Sequence, residues 1–144
     1  MSRSYSPEGF ALTKQFEGLS LKAYRDVRGI LTNGYGHTGS DVFEGQVVSQ
    51  EQADHWLAVD VAGAVLTVDL LIRVPLTHNQ FDALVDLVYN IGSSAFRGST
   101  LLKLLNSDHY LQASYEFVKW DHAAGKEIPG LLKRREAEQA LFMK

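Results

Sequence analysis

Cysteine is absent from this chain of 144 residues. Its absence excludes disulfide bonds, zinc sites built on thiolates and catalytic cysteine nucleophiles. It also agrees with synthesis in a reducing compartment. A chain of this length is expected to form one domain that buries roughly two thirds of its unfolded surface.

Long apolar segments are also missing. The N-terminal stretch MSRSYSP contains no apolar core of a secretory signal peptide. The most apolar run, residues 59–72, is interrupted by Asp60 and Asp69 and is too short to cross a bilayer. The sequence therefore predicts a soluble protein that is made in the cytoplasm and does not insert into a membrane.

The chain has no excess of positive charge. Its formal net charge is −3, and residues 49–118 carry three cations against eight anions. Broad nucleic-acid binding needs a basic face that displaces counterions, so we expect no nucleic-acid partner. Residues 119–144 carry six cations against four anions. Their cluster Lys133-Arg134-Arg135 is interpreted either as a solvated helix face or as a contact for an anionic polymer.

Helix signals surround one glycine-rich segment. Ser6-Pro7-Glu8 predicts the start of a helix over residues 7–17, and Gly18 predicts its end. Residues 24–48 contain five glycines, and short apolar segments between them indicate strands and tight turns. We therefore place a small β lobe at about residues 18–48.

The rest of the chain has the spacing of helices. Ser49–Gln52 and Thr77–Gln80 are capping boxes, the first of which opens a linking helix over about residues 50–72. Further helices are predicted at about 99–106, 109–120 and 131–142. These segments form a helical lobe over about residues 76–144, to which the N-terminal helix 7–17 is added. The fold class is therefore α+β.

The stretch TNGYGHTG contains the pattern G-x-G-x-x-G, which is typical of dinucleotide-binding loops. Such a loop needs a helix directly after it, whereas Gly39 is followed by SDVFEG, which predicts further turns. His37 has no second histidine three or four residues away, so a metal site is not indicated. We expect neither a metal nor a cofactor, and we interpret the glycines as backbone positions that turn tightly or lie close to a ligand.

Two carboxyl groups and a hydroxyl group precede this stretch: Glu17, Asp26 and Thr32. Glycoside hydrolysis uses two carboxyl groups in different environments, one protonated and one ionised. Glu17 ends the first helix, where the negative end of the helix dipole favours the neutral acid. Asp26 lies beside Arg25 and Arg28, which favour its ionised form. These three residue types are common, however, and three ordinary surface residues remain an alternative.

The segment FEGLSLKAYRDVRGILTNGYGHTG resembles the phage-type lysozymes, or endolysins, of glycoside hydrolase family 24. Their motif is Glu, eight residues, Asp or Cys, five residues, Thr and then a GYGHT-like turn, and both gaps are present at Glu17, Asp26 and Thr32. The resemblance continues in RVPLTHNQFDALVDLVYNIGSSAFRGSTLLKLLN and in GLLKRREAEQALF, and so covers nearly the whole chain.

The resemblance implies a lysozyme-like α+β fold with a β lobe and a helical lobe joined by a long helix. It implies hydrolysis of the β-1,4 bond between N-acetylmuramic acid and N-acetylglucosamine in peptidoglycan. Glu17 would be the general acid, and Asp26 and Thr32 would hold water or stabilise the transition state. A catalytically silent peptidoglycan-binding relative is the alternative.

Further roles also come from the resemblance. Gly36, His37, Thr38, Tyr89 and Asn90 would contact substrate. Asp60 would support the site by pairing with His37, and Arg134 would support it by orienting Glu17. The expected partner is peptidoglycan, and the expected state is a monomer. Because no signal or anchor segment is visible in the sequence, we expect access to the cell wall to need a separate membrane-permeabilising protein.

Two features depart from the family. Asn33 follows Thr32 where relatives often have an apolar β-branched residue, which predicts looser packing beneath the strand. The chain is also acidic overall, whereas many relatives are basic. Its attraction to an anionic cell wall is therefore expected to be weaker.

Overall fold

A computed structural model describes residues 3–123 and 125–144 of the chain. The elements in chain order are α1 (Pro7–Glu17), β1 (Ser20–Arg25), β2 (Leu31–Gly34), α2 (Gln50–Leu71), α3 (His78–Ile91), α4 (Ser93–Arg97), α5 (Thr100–Asn106), α6 (Tyr110–Ser114), a 3₁₀ turn (Phe117–Lys119), β3 (His122–Ala123), β4 (Lys126–Glu127) and α7 (Pro129–Met143). The helices dominate two small antiparallel sheets, which confirms the α+β class.

The capping residues that the sequence predicted lie at the observed starts of the helices. Helix α1 matches the predicted bounds, and α2 begins where the Ser49 hydroxyl accepts a hydrogen bond from the Gln52 N–H at 3.1 Å. At α3, the Thr77 hydroxyl accepts from the Gln80 N–H, and the Gln80 side chain accepts from the Thr77 N–H. Both bonds of this predicted capping box are therefore present.

The helix predicted at 109–120 is wrong in its second half. Helix α6 ends at Ser114, whose hydroxyl donates to the Leu111 carbonyl, and the chain then tightens into the 3₁₀ turn. That turn buries Phe117 completely, so tertiary packing sets the local geometry. The short helix α4 and the hairpin β3–β4 were not predicted, because neither is long enough to show a periodic pattern.

The chain divides into two compact units. The helical unit comprises the chain up to Leu12 together with Gly63–Lys144, and the β unit comprises Thr13–Ala62. Within residues 3–123 and 125–144, none of the helices combines the length and the apolar character needed to cross a membrane.

The core of the helical unit lies around α3. Every residue from Phe81 to Val88 is buried, and this helix packs against α7. The cluster also includes side chains from α2, α4, α5 and the 3₁₀ turn, among them Val68, Phe96, Leu101 and Phe117. Because α3 is buried on all sides, its polar residues also face the interior, and they need partners there.

Four charged residues form a buried quartet on α3 and α7: Asp86, Arg134, Arg135 and Glu138. Arg134 donates two hydrogen bonds to Asp86, at 2.9 and 2.8 Å, and Arg135 Nη2 donates to Glu138 at 3.0 Å. Burial and the neighbouring Asp86 raise the pKa of Glu138 well above its usual value, while both arginines oppose this shift. The interpretation of Lys133-Arg134-Arg135 as a solvated face is therefore wrong for the two arginines, of which Arg134 is only 4% exposed and Arg135 fully buried.

The β unit is built on the antiparallel pair β1–β2. Tyr24 lies opposite Thr32, and Ser20 lies opposite Gly34, with an irregularity between these pairs. Residues 46–48 extend the sheet, because the Ala23 N–H donates to the Gln46 carbonyl and the Val48 N–H donates to the Leu21 carbonyl, both at 2.8 Å.

A turn from Asn33 to His37, the glycine turn, lies at the end of β2. Asn33 and His37 exchange two backbone hydrogen bonds, at 2.9 and 2.8 Å. The Asn33 side chain accepts from the Gly34 N–H at 2.8 Å and donates to the Gln46 side chain at 3.3 Å. Asn33 is fully buried, so a hydrogen-bonded amide fills the position at which looser packing was expected.

The predicted pair between His37 and Asp60 is confirmed, and His37 has two further contacts. Its Nδ1 lies 2.8 Å from Asp60, its Nε2 lies 2.8 Å from Asp41, and its ring stacks on Trp56 at 4.3 Å between centroids. Burial acts to lower the pKa of His37, but the two carboxylates outweigh it, and the net shift is upward from 6.5. The hydrogen bond from His37 lowers the pKa of Asp41 from 3.8. The glycine turn is thereby tied to α2 by a histidine that is bonded to two carboxylates.

The raised pKa predicts a stability contribution that depends on pH. His37 stabilises the fold fully below its unfolded-state pKa of about 6.5 and progressively less as pH rises through the higher folded-state pKa. Replacing His37 by Gln should therefore cost on the order of 2 kcal/mol at about pH 6 and less at about pH 9. Denaturant unfolding across this range measures the difference, with His55→Gln on the exposed face of α2 as control. A cost that stays constant or grows with pH would contradict the assignment.

The buried quartet predicts an unequal response of two glutamates on α7. Glu138→Ala leaves the Arg135 guanidinium buried without its closest acceptor, so we expect a loss of about 3–5 kcal/mol in the free energy of unfolding. Glu136→Ala makes the same change at an exposed position two residues away and should cost about 0.5 kcal/mol or less. Equal losses in chemical denaturation would show that the quartet does not stabilise the fold.

Candidate active site

Glu17 is the last residue of α1 and lies against the glycine turn. The Gly18 N–H closes the helix on the Lys14 carbonyl at 3.2 Å, and Gly18 then leaves the helix with φ +73°. A Cβ atom on Gly36 would lie 3.3 Å from Glu17 Oε1. The carboxyl group of Glu17 therefore lies close to a backbone position that carries no side chain.

Gly36 can occupy this place because of its backbone conformation. Its φ of +84° belongs to the left-handed region that favours glycine. The flanking side chains of Tyr35 and His37 are both buried, so the turn around Gly36 is anchored on both sides. The prediction that these glycines allow tight turns is thus confirmed at Gly36, and a close approach of ligand there stays a prediction.

Asp26 lies at the start of the turn that joins β1 to β2. Its Oδ1 accepts hydrogen bonds from the N–H groups of Arg28 and Ile30, each at 2.9 Å. Its backbone N–H donates to the Ile30 carbonyl at 3.0 Å, and its carbonyl accepts from the Gly29 N–H at 2.8 Å. The side chain is half-buried and its orientation is fixed by its own turn.

These contacts lower the pKa of Asp26 from 3.8. The main cause is the hydrogen bond from the Ile30 N–H; partial burial opposes it, and the backbone N–H and the charge of Arg28 add to it. The expectation of an ionised Asp26 is confirmed in direction. Of the two arginines expected to help, Arg28 does so, whereas Arg25 donates instead to the Gly29 carbonyl at 2.9 Å and to Glu44 at 3.0 Å.

Thr32 is buried on β2, opposite Tyr24. Its hydroxyl donates to the Ile30 carbonyl at 2.9 Å. The Ile30 backbone therefore connects Asp26 and Thr32, because its N–H and its carbonyl bond to the two residues. The lone pairs of the Thr32 oxygen remain as acceptors.

The other predicted residues divide between the two units. In the β unit, Thr38 is exposed, and both ring nitrogens of His37 are already bonded to Asp60 and Asp41. A direct contact of His37 with substrate stays a prediction.

In the helical unit, Tyr89 is half-buried and Asn90 is exposed near the end of α3. A cavity of about 390 Å³ beside Asn90 is also lined by Ile91, Trp120, His122, Ala123 and Leu131. Sequence reasoning missed Trp120 and His122. His122 lies in the short hairpin β3–β4, and Trp120 lies just before it. Arg134 pairs with Asp86, and its predicted effect on Glu17 stays a prediction.

A metal centre finds no support in the part of the chain that the structure describes. No group of three or more histidine, aspartate or glutamate side chains is arranged there to hold a metal ion.

Comparison with known proteins supports the resemblance to phage-type lysozymes. The family model described as phage lysozyme matches residues 14–138. An endolysin of Acyrthosiphon pisum secondary endosymbiont phage 1 is 50% identical over 141 residues, which cover 95% of this chain and 96% of that protein. An endolysin of Bacillus phage B103 is 48% identical over 96% of this chain, but the match spans only 53% of that relative's length.

Solved structures give the same family as these sequence matches. The crystal structure of a variant of P22 lysozyme is 41% identical to this chain, with a TM-score of 0.91 and coverage of 99% of both chains. The match by the family model and the near full-length relatives lead to one conclusion: the chain belongs to the phage lysozyme family.

Proposed function

We propose that this chain is a muramidase that hydrolyses the β-1,4 bond between N-acetylmuramic acid and N-acetylglucosamine, with Glu17 as its general acid. Membership of the phage lysozyme family makes the chain a hydrolase that lyses peptidoglycan. The choice of bond and of residues goes beyond that membership. The observation that carries it is the position of the Glu17 carboxyl group against the backbone of Gly36.

Glu17 is suited to donate a proton to the leaving oxygen. Its side chain lies at the C-terminal end of α1. Gly36 lies beside the carboxyl group without placing a side chain over it. A carboxylic acid in such a position can protonate the glycosidic oxygen as the bond breaks.

Asp26 and Thr32 are suited to hold the attacking water. Asp26 remains ionised because its turn lowers its pKa, so it can accept a proton from water or stabilise positive charge on the sugar. The Thr32 hydroxyl donates its hydrogen bond to the Ile30 carbonyl, so its oxygen can accept a hydrogen bond from the same water. Water then adds to the anomeric carbon, and the other sugar leaves with the proton from Glu17.

The remaining residues have supporting roles in this proposal. Gly36 and Thr38 line the substrate on the β unit, and Tyr89 and Asn90 contact sugar from α3. Arg134 orients Glu17. His37 and Asp60 hold the glycine turn, as their mutual contact at 2.8 Å suggests.

The biological setting follows from the same resemblance. The enzyme acts as a monomer on the bacterial cell wall, and it reaches the wall with the help of a separate membrane-permeabilising protein. Lysis of cells that express the chain in the cytoplasm, with and without an agent that permeabilises the cytoplasmic membrane, tests this dependence.

A peptidoglycan-binding relative without catalysis is the alternative function. Such a protein would bind purified peptidoglycan and leave it intact. The presence of Glu17, Asp26 and Thr32 at family spacing favours the enzyme.

Replacing Glu17 by Gln removes the proton donor and keeps the size of the side chain. We expect clearing of purified peptidoglycan to fall by about 10²–10⁴-fold, the range that a general acid supplies. Glu51→Gln, an exposed change in the first turn of α2, is the matched control and should clear normally. Unchanged clearing by the Glu17 variant would remove the general acid, and no clearing by the parent protein would favour the binding alternative.

Two glycines of similar conformation give a second test. Gly36 and Gly45 have φ of +84° and +79°, so an added Cβ strains both positions similarly, by about 1 kcal/mol or more. Only at Gly36 would the Cβ meet Glu17 Oε1, whereas at Gly45 nothing lies within 4 Å.

We therefore expect Gly36→Ala and Gly45→Ala to lower the melting temperature similarly, and only Gly36→Ala to lower kcat, by about tenfold or more. Measuring both quantities for both variants separates strain from catalysis. Equal kcat values would show that the Gly36 contact does not matter for the reaction.

A further inference from the structure

The two carboxylate oxygens of Asp26 lie in different environments. Oδ1 accepts the N–H groups of Arg28 and Ile30. Oδ2 has a different neighbour, the guanidinium group of Arg28, whose Nη2 lies 3.9 Å away. One oxygen is thus used to build the turn, and the other faces a cation.

The backbone of Arg28 is held in place by the same carboxylate. Its N–H is bonded to Asp26 Oδ1, and the turn is closed by the Gly29 N–H on the Asp26 carbonyl at 2.8 Å. Gly29 has φ +80°, the left-handed conformation that ends such a turn before the next strand. The guanidinium of Arg28 therefore extends from a fixed point two residues beyond the proposed catalytic carboxylate.

Most hydrogen-bond donors of Arg28 are open to a ligand. The side chain is 76% exposed, and its contact with Asp26 at 3.9 Å is at the outer limit of an ion pair. An exposed pair of this kind contributes little binding energy by itself. Arg25, by comparison, spends its donors on the Gly29 carbonyl and on Glu44. A guanidinium group with free donors is well suited to grip a carboxylate with two parallel hydrogen bonds.

We propose that Arg28 determines specificity by binding a carboxylate of the muramic acid branch of the substrate. This inference rests on the proposed muramidase function. Of the two sugars in peptidoglycan, only N-acetylmuramic acid carries a lactyl ether, which continues into a peptide with free carboxylates. That branch leaves the ring two carbons from the anomeric carbon, so an acidic group lies close to the bond that Asp26 faces.

Arg28 also offsets an unfavourable electrostatic interaction beside Asp26. An ionised Asp26 repels an acidic substituent that approaches it, and the charge of Arg28 offsets this repulsion. A sugar polymer without acidic branches would gain nothing from Arg28. The site thereby distinguishes peptidoglycan from a neutral glycan through a residue that takes no part in the bond cleavage.

The first experiment separates binding from catalysis in the full chain at neutral pH. Arg28→Gln should raise KM for purified peptidoglycan about three- to tenfold and leave kcat within about twofold, as expected for a solvent-exposed charged contact. Arg28→Lys, which keeps the charge and loses the fork, should give an intermediate KM. Arg97→Gln, at the exposed end of α4, makes the same change in residue and net charge and should leave KM unchanged.

The second experiment changes the substrate and needs no turnover. Free carboxylates of insoluble peptidoglycan are converted to amides with a carbodiimide and methylamine, and the protein that sediments with each polymer is measured. The parent chain should bind the amidated polymer about three- to tenfold more weakly than the native one. The Arg28→Gln variant should bind both polymers equally, because its carboxylate receptor has been removed.

The outcomes are distinct. A variant that loses as much affinity on amidation as the parent overturns the proposal, and so does a loss of kcat with unchanged KM, which would mean that Arg28 acts through Asp26. An equal rise in KM for Arg97→Gln would also overturn it, since the effect would then reflect overall charge. If the parent fails to cleave native peptidoglycan while binding differs as described, the muramidase function fails and the carboxylate site stands.

Discussion

The proposed site depends on one constraint, the close approach of the Glu17 carboxyl group to the position at which Gly36 lacks a side chain. It requires a left-handed residue without a side chain at one position, and a helix that ends at Glu17 at the other. Several features of the β unit maintain this contact. Asn33 closes the turn with buried hydrogen bonds, and His37 ties it to Asp60 on α2 and to Asp41. In the proposed enzyme, His37 would therefore help to position the acid by holding the glycine turn.

The second carboxylate follows a different principle. Glu17 is placed by packing, whereas Asp26 is placed by hydrogen bonds from its own turn, which also favour its ionised form. The two carboxyl groups are thus held in different ways: Glu17 ends a helix, and Asp26 accepts N–H groups from its own turn. Because Ile30 bonds to both Asp26 and Thr32, a change in the β1–β2 turn would be transmitted to both residues.

Local signals predicted much of this arrangement. Helix ends followed from caps at Ser49 and Thr77, since capping depends on a few neighbouring residues and requires no knowledge of the fold. The spacing of Glu17, Asp26 and Thr32 indicated the family, and the pair of His37 with Asp60 followed from the resemblance. The second partner of His37, Asp41, could not be foreseen, because it depends on the path of a loop. The burial of Arg134 and Arg135 was also missed. A basic run on a helix indicates an exposed surface unless the facing acidic residues are known, and Asp86 lies 48 residues away from Arg134.

The central claim is that this chain cleaves the glycan at the muramic acid side, and the sugar at the new chain end tests it most directly. Purified peptidoglycan is digested with the protein, the new reducing ends are converted to alditols with borohydride, and the alditols are identified by mass spectrometry after acid hydrolysis. Muramicitol is expected, in an amount that rises with digestion. Glucosaminitol in its place, or new amino groups from cleaved peptides without new reducing ends, would contradict it.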